Sequence, residues 1–199
     1  MIRRALDLVV AASVLVLASP LLALAVVAIR LESRGAAIYR QRRVGQDGRE
    51  FDVLKLRTMV AGAERMGAGL AVEEGDARIT RVGALLRRSS LDELPNLVNV
   101  IRGEMSLIGP RPTVPSQVAL YDERQRGRLA VKPGLTGWAQ VNGRASLPWS
   151  ERIELDLYYI AHRSPLLDAR ILARTLRALA HGGGLYRGER GGWDGGSSG

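Results

Sequence analysis

Two adjacent acids, Asp92 and Glu93, are the residues of this sequence best suited to chemistry. They lie in the run SSLDELP at residues 89–95, one turn after Arg87 and Arg88. Neighbouring residues of a helix point about 100° apart, so the two carboxylates would not share a proton. They suit two roles around one phosphate, in which one attacks phosphorus and the other holds Mg²⁺. The arginines would bind phosphate and lower the pKa values of both acids.

A purely structural role for the same residues is also open. Ser90 and Glu93 have the spacing of a capping box, and acids in a first helical turn complement the helix dipole. Pro95 places the expected helix start nearer Asp92, because proline deeper in the helix would cost a backbone hydrogen bond. Arg87 and its neighbour would then form a solvated or interfacial basic patch.

Composition restricts the kinds of site that the chain can build. The 199 residues include no Cys and only two His, which excludes thiolate chemistry, disulfides and a multi-His metal centre. A metal must therefore bind through oxygen, which indicates Mg²⁺, Ca²⁺ or Mn²⁺. The net charge is +9, and Lys55 and Lys132 are the only lysines among 29 cationic side chains. Arginine in such excess favours an anionic partner: nucleic acid, a phosphorylated small molecule or an acidic membrane.

An apolar run at residues 5–29, interrupted only by Asp7, Ser13 and Ser19, predicts a membrane segment. As one helix it would be roughly 37 Å long, enough to cross a bilayer. Three interpretations are open: a cleaved signal peptide, a spanning anchor, and a re-entrant hairpin that enters the membrane and turns back.

The flanks of the run and a proline within it bear on that choice. Arginines stand on both sides: Arg3, Arg4, Arg30, Arg34, Arg40, Arg42 and Arg43. The positive-inside rule places both clusters in the cytoplasm, which only a hairpin allows. Pro20 frees the carbonyl of Val16 and predicts a break, and Ser19 can bond to the freed backbone. Many spanning helices nevertheless tolerate proline.

The rest of the chain predicts a small, mainly helical α+β domain. Alternating runs at 38–44 and 50–56 flank Asp47-Gly48 and predict a β-hairpin. Helices are predicted at 58–70, 79–88 (with Leu85 and Leu86 buried), 94–101, 113–129, 150–161 and 166–180, the last basic and amphipathic. Residues 132–144 are predicted to be extended. We therefore divide the chain into a membrane hairpin (1–35), a catalytic domain (36–181) and a Gly-rich tail (182–199), whose last five residues resemble an added linker.

Several blocks, in order, resemble one known family. The acidic run continues as NLVNV and leads through GEMS at 103–106 into GPRP at 109–112. The other blocks are RALD at 4–7 with Ser19-Pro20, RVG at 43–45 with KLRTM at 55–59, KPGLTGWAQVNGR at 132–144, and ELDLYY at 154–159. Together they cover residues 2–180 and resemble the bacterial sugar transferases, which are monotopic polyprenyl-phosphate phosphoglycosyl transferases. The chain resembles their minimal form, without a multi-span N-terminal region.

The resemblance implies a reaction and a place in the cell. Asp92 matches a nucleophile that attacks the sugar-bearing phosphorus of a UDP-sugar, releases UMP and keeps a covalent phosphosugar. Polyprenyl (undecaprenyl) phosphate then takes the phosphosugar and becomes polyprenyl-diphospho-sugar, the first membrane step of polysaccharide, O-antigen or glycoprotein glycan assembly. Glu93 is the expected Mg²⁺ ligand. The implied location is the cytoplasmic face of the bacterial inner membrane, held by a helix-break-helix hairpin at Ser19-Pro20 in contact with membrane lipid.

Four cations are candidates for binding substrate phosphate. Lys55 and Arg87 match family positions near the active site. Arg111 stands between two prolines, which lower the entropy cost of phosphate binding, and Arg144 has a similar claim. Arg111 and Arg144 could instead order their loops through ion pairs. Asn96, like Glu104, departs from the family pattern and is not expected to touch the reacting groups.

Three other functions compete with this reaction. The charge permits a membrane-anchored nucleic-acid-binding protein, but no groove-reading motif is recognised, and we expect no nucleic-acid partner. A non-catalytic membrane scaffold and a secreted protein released by signal cleavage are the others. Release of UMP from a UDP-sugar, and an intact N-terminal segment in membranes, would separate them.

Overall fold

The computed structural model describes residues 2–66, 75–143 and 146–181, and it shows a mainly helical α+β fold. The helices, in chain order, are α1 (Ile2–Glu32), α2 (Arg81–Arg88), α3 (Asn96–Arg102), α4 (Pro115–Val118), α5 (Glu123–Arg126), α6 (Trp138–Val141), α7 (Trp149–Ala161) and α8 (Pro165–His181). The strands are β1 (Ile38–Val44), β2 (Glu50–Leu56), β3 (Ser106–Ile108) and β4 (Gly134–Thr136). Among the described residues, α1 is the one helix long and apolar enough to cross a membrane.

Helix α1 continues through Pro20 without interruption. The hydroxyl of Ser19 donates a hydrogen bond of 2.8 Å to the carbonyl of Val16, the group that Pro20 leaves without its usual amide partner. The predicted hydrogen bond from Ser19 to the freed backbone carbonyl is therefore present. The predicted break into a helix-break-helix hairpin is not confirmed.

Both ends of α1 are attached to the same domain. Near its start, Arg4 donates to the carbonyls of Val100 (2.6 Å) and Ile101 (2.8 Å) at the end of α3. At its last residue, the Glu32 carboxylate accepts the backbone N–H groups of Arg81 (2.7 Å) and Val82 (3.0 Å) at the start of α2. The helix is thus bound to the domain at two points separated by almost its full length.

Apolar packing follows the same pattern and forms two cores along α1. The first contains Ala11 of α1 together with buried side chains of the β-hairpin, of α3 and of the residue just before β3: Phe51, Val53, Leu97, Val100 and Met105. The second contains Ala25 and Ile29 with Ala37, Leu56 and Leu86. The remaining large side chains of α1 are mostly exposed, among them Val16 (71%), Leu17 (81%) and Leu24 (67%). Burial of one stripe only leaves an apolar surface that water does not favour.

The predicted β-hairpin is confirmed. Strands β1 and β2 pair antiparallel, with Ile38 opposite Leu56 and Val44 opposite Glu50. Asp47 and Gly48 both have positive φ (55° and 77°). This is the left-handed backbone conformation that an Asp-Gly pair commonly adopts in a tight turn. The pleat turns Arg43 and Lys55 toward the domain and leaves Arg42 exposed.

A second sheet pairs β3 with β4 in parallel, joining segments that are far apart in sequence. The sequence predicted the extended segment that contains β4 but did not predict β3. The prediction that residues 132–144 are extended throughout was wrong, because helix α6 follows β4 within them. The backbones of Gly109 and Gly134 touch, since a Cβ on Gly134 would lie 2.0 Å from the Gly109 amide nitrogen. This close approach sets the position of the Pro110-Arg111-Pro112 turn that follows β3.

The helix predictions were confirmed where one strong apolar face continues, as in α2, α3, α7 and α8. They were wrong at 113–129, where Pro115 and a capping box at Asp122 divide the chain into α4, α5 and a 3₁₀ turn. They were also wrong over the described part of 58–70, whose only helical element is a 3₁₀ turn at Ala63–Arg65. Leu86 is buried as expected, but Leu85 is 66% exposed.

Candidate active site

The two acids lie in a separate 3₁₀ turn, Leu91–Glu93, between α2 and α3. Ser90, which precedes the turn, has a φ of 56°, an uncommon conformation for a side chain other than glycine. Its side chain caps no backbone group of the turn. The capping-box interpretation is therefore wrong, and α3 begins only at Asn96. Neither Asp92 nor Glu93 caps a helix with its side chain.

Glu93 is the meeting point of two cations from distant parts of the chain. Its Oε1 atom accepts hydrogen bonds of 2.7 Å from Lys55 Nζ on β2 and 2.7 Å from Arg111 Nη2 in the turn after β3. Burial opposes ionisation of Glu93, but Arg111 and Lys55 outweigh it and hold the pKa of Glu93 well below its usual range. Glu93 is consequently a carboxylate at neutral pH.

Asp92 has a different environment although it is the next residue. It is half-buried and accepts no hydrogen bond from the described residues. Burial and the adjacent charge of Glu93 raise the pKa of Asp92 above its usual value, against the opposing effects of Lys55, Arg87 and Arg111. Neighbouring carboxyl groups whose pKa values are pushed apart are typical of sites that give two acids two tasks.

The structure brings together five of the six predicted site residues. Lys55, Arg87 and Arg111 all act on the ionisation of Asp92 beside Glu93. Arg87, at the end of α2, is held by a hydrogen bond of 2.9 Å from its Nε to the hydroxyl of Thr58. Arg144 lies outside the described residues, so its predicted role stays a prediction.

A cleft opens beside Glu93. The residues that line it are Arg43, Val53, Lys55, Glu93, Asn96, Met105, Arg111, Pro112, Gly134 and Leu135. Two polar residues among them, Arg43 and Asn96, were not predicted as site residues. Arg43 was named as a flanking cation and as part of the RVG block but was given no role in the site, although the period-two pattern of β1 places it on the opposite face from Arg42. Asn96 was not expected to touch the reacting groups, yet it lines the cleft.

Buried amides explain how the cleft keeps its shape. Asn96 Oδ1 and Asn99 Oδ1 both accept the backbone N–H of Leu54, at 3.1 and 3.2 Å. Asn99 also donates to the carbonyl of Asp52 (2.8 Å) and to Glu104 Oε2 (2.7 Å). These bonds join α3 to β2 at Leu54. They therefore fix the position of Lys55, the residue after Leu54, relative to Glu93.

Behind Arg111 lies a buried ion pair between Arg128 and Asp156, whose side chains are 3% and 1% exposed. Arg128 Nη2 also donates to the carbonyl of Arg111 at 3.3 Å, and Nη1 donates to the hydroxyls of Thr113 (3.1 Å) and Tyr121. The guanidinium therefore supports the Pro110-Arg111-Pro112 turn from inside the domain.

A divalent metal fits this site only with help from substrate. Among the described residues no three His, Asp or Glu side chains converge as a metal site. Glu93 Oε2 receives no hydrogen bond from that part of the chain, whereas Oε1 is occupied by both cations. Mg²⁺ commonly binds one or two carboxylate oxygens and completes its shell with phosphate oxygens and water. The donor set is compatible with that arrangement.

Comparison with known proteins adds an independent line of support. A family model described as bacterial sugar transferase matches residues 1–182. The chain is 45% identical, over 89% of its length and 69% of the relative's, to a UDP-glucose:undecaprenyl-phosphate glucose-1-phosphate transferase of Caulobacter vibrioides. It is 37% identical to the exopolysaccharide production protein ExoY of Sinorhizobium fredii, covering 92% of this chain and 88% of that protein. It is 41% identical to a UDP-N-acetylgalactosamine-undecaprenyl-phosphate N-acetylgalactosaminephosphotransferase of Aeromonas hydrophila, covering 92% and 44%.

Proposed function

This chain belongs to the bacterial sugar transferase family and is a transferase of phosphosugar groups, and on that premise we propose the reaction that it catalyses. It transfers a sugar-1-phosphate from a UDP-sugar to polyprenyl phosphate in the membrane, giving polyprenyl-diphospho-sugar and UMP. A covalent phosphosugar on Asp92 is the intermediate. The reaction is the first membrane step in assembling a glycoconjugate.

The observation that carries this proposal is the contrast between Asp92 and Glu93. Glu93 is engaged by Lys55 and Arg111, whereas Asp92 accepts no hydrogen bond from the described residues. A nucleophile needs an oxygen that is not already committed to a donor. Its raised pKa also indicates a carboxylate that is poorly stabilised and correspondingly more basic.

Two displacements at one phosphorus complete the reaction. An oxygen of Asp92 bonds to the sugar-bearing phosphorus, the bond from that phosphorus to the bridging oxygen breaks, and the electron pair leaves with UMP. An oxygen of polyprenyl phosphate then bonds to the same phosphorus, and the bond to Asp92 breaks. Each step exchanges one anhydride for another, so no further energy source is required.

Cations of the site offset the negative charge that the two substrates bring together. Lys55 and Arg111 bond to Glu93, and the charges of Lys55, Arg87 and Arg111 all favour the ionised form of Asp92. Mg²⁺, when bound through Glu93, supplies charge neutralisation at the phosphate oxygens. Fixed cations in a partly buried site stabilise the transition state more than mobile ones in water do.

The same proposal places the enzyme on the cytoplasmic face of the bacterial inner membrane. Support comes from the attachment of both ends of α1 to one domain, through Arg4 and Glu32. A helix that crossed the membrane would have its ends on opposite sides. A re-entrant helix bent at Pro20 keeps both ends with the domain, and proline is a common cause of such a bend. The water-soluble UDP-sugar and the lipid-borne acceptor then meet at the interface.

The experiment uses the full chain in lipid nanodiscs with Mg²⁺, undecaprenyl phosphate and a panel of UDP-sugars, and it measures UMP. Wild type is expected to release UMP with at least one sugar and to carry a phosphosugar adduct when the acceptor is omitted. Asp92→Asn is expected to do neither, while Asp52→Asn, which changes a partly exposed acid on β2, behaves as wild type. Turnover by Asp92→Asn near the wild-type rate would contradict the covalent mechanism.

A further inference from the structure

Arg43 differs from the other cations of the cleft in having no acidic partner. Lys55 and Arg111 both bond to Glu93. The guanidinium of Arg43 donates instead to neutral groups, the carbonyl of Pro112 at 3.1 Å and the side-chain oxygen of Gln41. No carboxylate of the described residues forms a salt bridge with it. Two of its five N–H groups have no partner in that part of the chain.

Such a charge is costly to keep in the fold. Arg43 is only partly exposed, and burial together with the nearby charge of Arg111 lowers the pKa of Arg43 to about 10. A buried charge without a counter-ion destabilises a protein unless something offsets it. Arg43 lines the same cleft as Glu93 and Arg111, so an anion entering the cleft would supply the missing partner.

The position of Arg43 relative to Asp92 indicates which anion this is. Asp92 does not line the cleft, whereas Glu93, the next residue, lines it together with Arg43 and Arg111. Arg43 therefore lies on the cleft side of Glu93, apart from the nucleophile.

In an in-line displacement at phosphorus, the leaving oxygen departs from the side opposite the attacking oxygen. The second displacement reverses the geometry, so the entering oxygen arrives on the side from which the first group left. One subsite opposite Asp92 must accordingly accept both phosphates in turn.

Resting on the proposed function, we infer that Arg43 forms this subsite and binds first the phosphate of departing UMP and then the phosphate of the entering polyprenyl phosphate. Its planar fork of N–H donors suits the paired oxygens of a phosphate. The two substrates therefore compete for one guanidinium, and Arg43 offsets the charge that develops on the leaving group.

Three variants of the full chain in nanodiscs test the inference. Arg43→Gln removes the charge, and Arg43→Lys keeps the charge but loses the fork. Arg42→Gln is the matched control, since Arg42 is the next residue of β1, is 59% exposed and only loosely faces Glu50 and Asp52. The measurements are the Kd for UMP by calorimetry, the KM for undecaprenyl phosphate, and the melting temperature.

Arg43→Gln is expected to weaken UMP binding roughly 10- to 100-fold and to raise the KM for undecaprenyl phosphate by a similar factor. Arg43→Lys is expected to recover part of both losses, and Arg42→Gln to match wild type. The inference is overturned if Arg43→Gln binds UMP as wild type does, if only one of the two phosphates is affected, if Arg42→Gln shows equal losses, or if wild type has no measurable affinity for UMP.

Failure of the proposed function would look different. A wild type that binds UMP but converts no UDP-sugar would contradict the reaction, while the comparison of UMP affinities between the variants would still report on Arg43. A fall in melting temperature for Arg43→Gln, without rescue by Arg43→Lys, would assign the residue to folding and overturn the inference.

Discussion

Glu93 of the acidic turn and Lys55 of β2 form an ion pair with a distance of 2.7 Å between Lys55 Nζ and Glu93 Oε1. Their side chains are only 24% and 19% exposed, so water and salt screen the pair weakly. The same Glu93 oxygen accepts Arg111, and one carboxylate thereby connects three elements. Removing Glu93 would leave both cations without their acidic partner, whereas removing one cation leaves Glu93 paired with the other.

Lys55→Gln is expected to lower kcat/KM about 10- to 100-fold, because the variant loses a fixed cation of the site. The pKa of Glu93 should rise toward its usual value, since Lys55 is one of the two cations that depress it. Steady-state kinetics over a pH series measures both effects. Lys132→Gln is the control at the only other lysine, and a Lys55→Gln rate within twofold of wild type would contradict the role.

Glu93→Gln is expected to reduce kcat about 100-fold and to weaken the dependence on Mg²⁺, since a neutral amide is a poor ligand for a hard cation. It also leaves Lys55 and Arg111 without a counter-ion. The measurement is UMP release across a Mg²⁺ titration, with EDTA as the zero point. Full wild-type activity in EDTA would remove the metal from the proposal.

Asp92→Asn is expected to increase stability while it abolishes transfer. The folded-state pKa of Asp92 is raised, so its ionised form destabilises the fold at pH values above that pKa and has no such effect below the usual Asp pKa of about 3.9. The gain from Asn should be about 1 kcal/mol near neutral pH, after allowance for partial exposure, and should fade as the pH falls.

Thermal unfolding in EDTA between pH 4 and pH 8 measures that gain. Asp52→Asn serves again as the control and should show little change. A stabilisation that grows toward acid pH would have the wrong sign and would mean that the pKa of Asp92 is lowered.

Asp156→Asn is expected to destabilise the domain by about 3–5 kcal/mol, because it leaves the buried guanidinium of Arg128 unpaired. Transfer should fall with it, since Arg128 supports the carbonyl of Arg111. Glu154→Gln breaks a comparable but exposed pair with Arg124 and should cost less than about 1 kcal/mol. Denaturant unfolding compares the two, and equal costs would show that burial of the first pair has no consequence.

Ile2→Cys is expected to react with thiol reagents only from the cytoplasmic side of intact cells, since the chain has no other thiol. On the re-entrant proposal, adding Pro20→Leu and Ser19→Ala removes the cause of the bend and should move part of the population to a spanning orientation. Labelling of the single variant from the periplasm would contradict the re-entrant proposal, although the chemistry around Asp92 could survive that result.

Some features of this protein were determined by local sequence. The hairpin follows from alternating residues around Asp47-Gly48, and the strongly periodic segments became α3, α7 and α8. The acids, Arg87 and Arg111 could be proposed as site residues from their types and their spacing along the chain, whereas Lys55 was proposed only because it matches a position of the family. Short-range steric effects and side-chain periodicity act within a few residues. The structures that depend on them can therefore be predicted from the order of neighbouring residues in the sequence.

Tertiary structure decided which of these groups meet. Lys55 and Arg111 reach Glu93 across 38 and 18 residues of sequence, and β3 pairs with β4 through the close approach of two glycines. Whether Ser90 caps a helix, and whether Arg43 finds an acidic partner, depended on how α3 and the hairpin pack. Such contacts are selected by the burial of side chains from distant segments, and no local pattern specifies that selection.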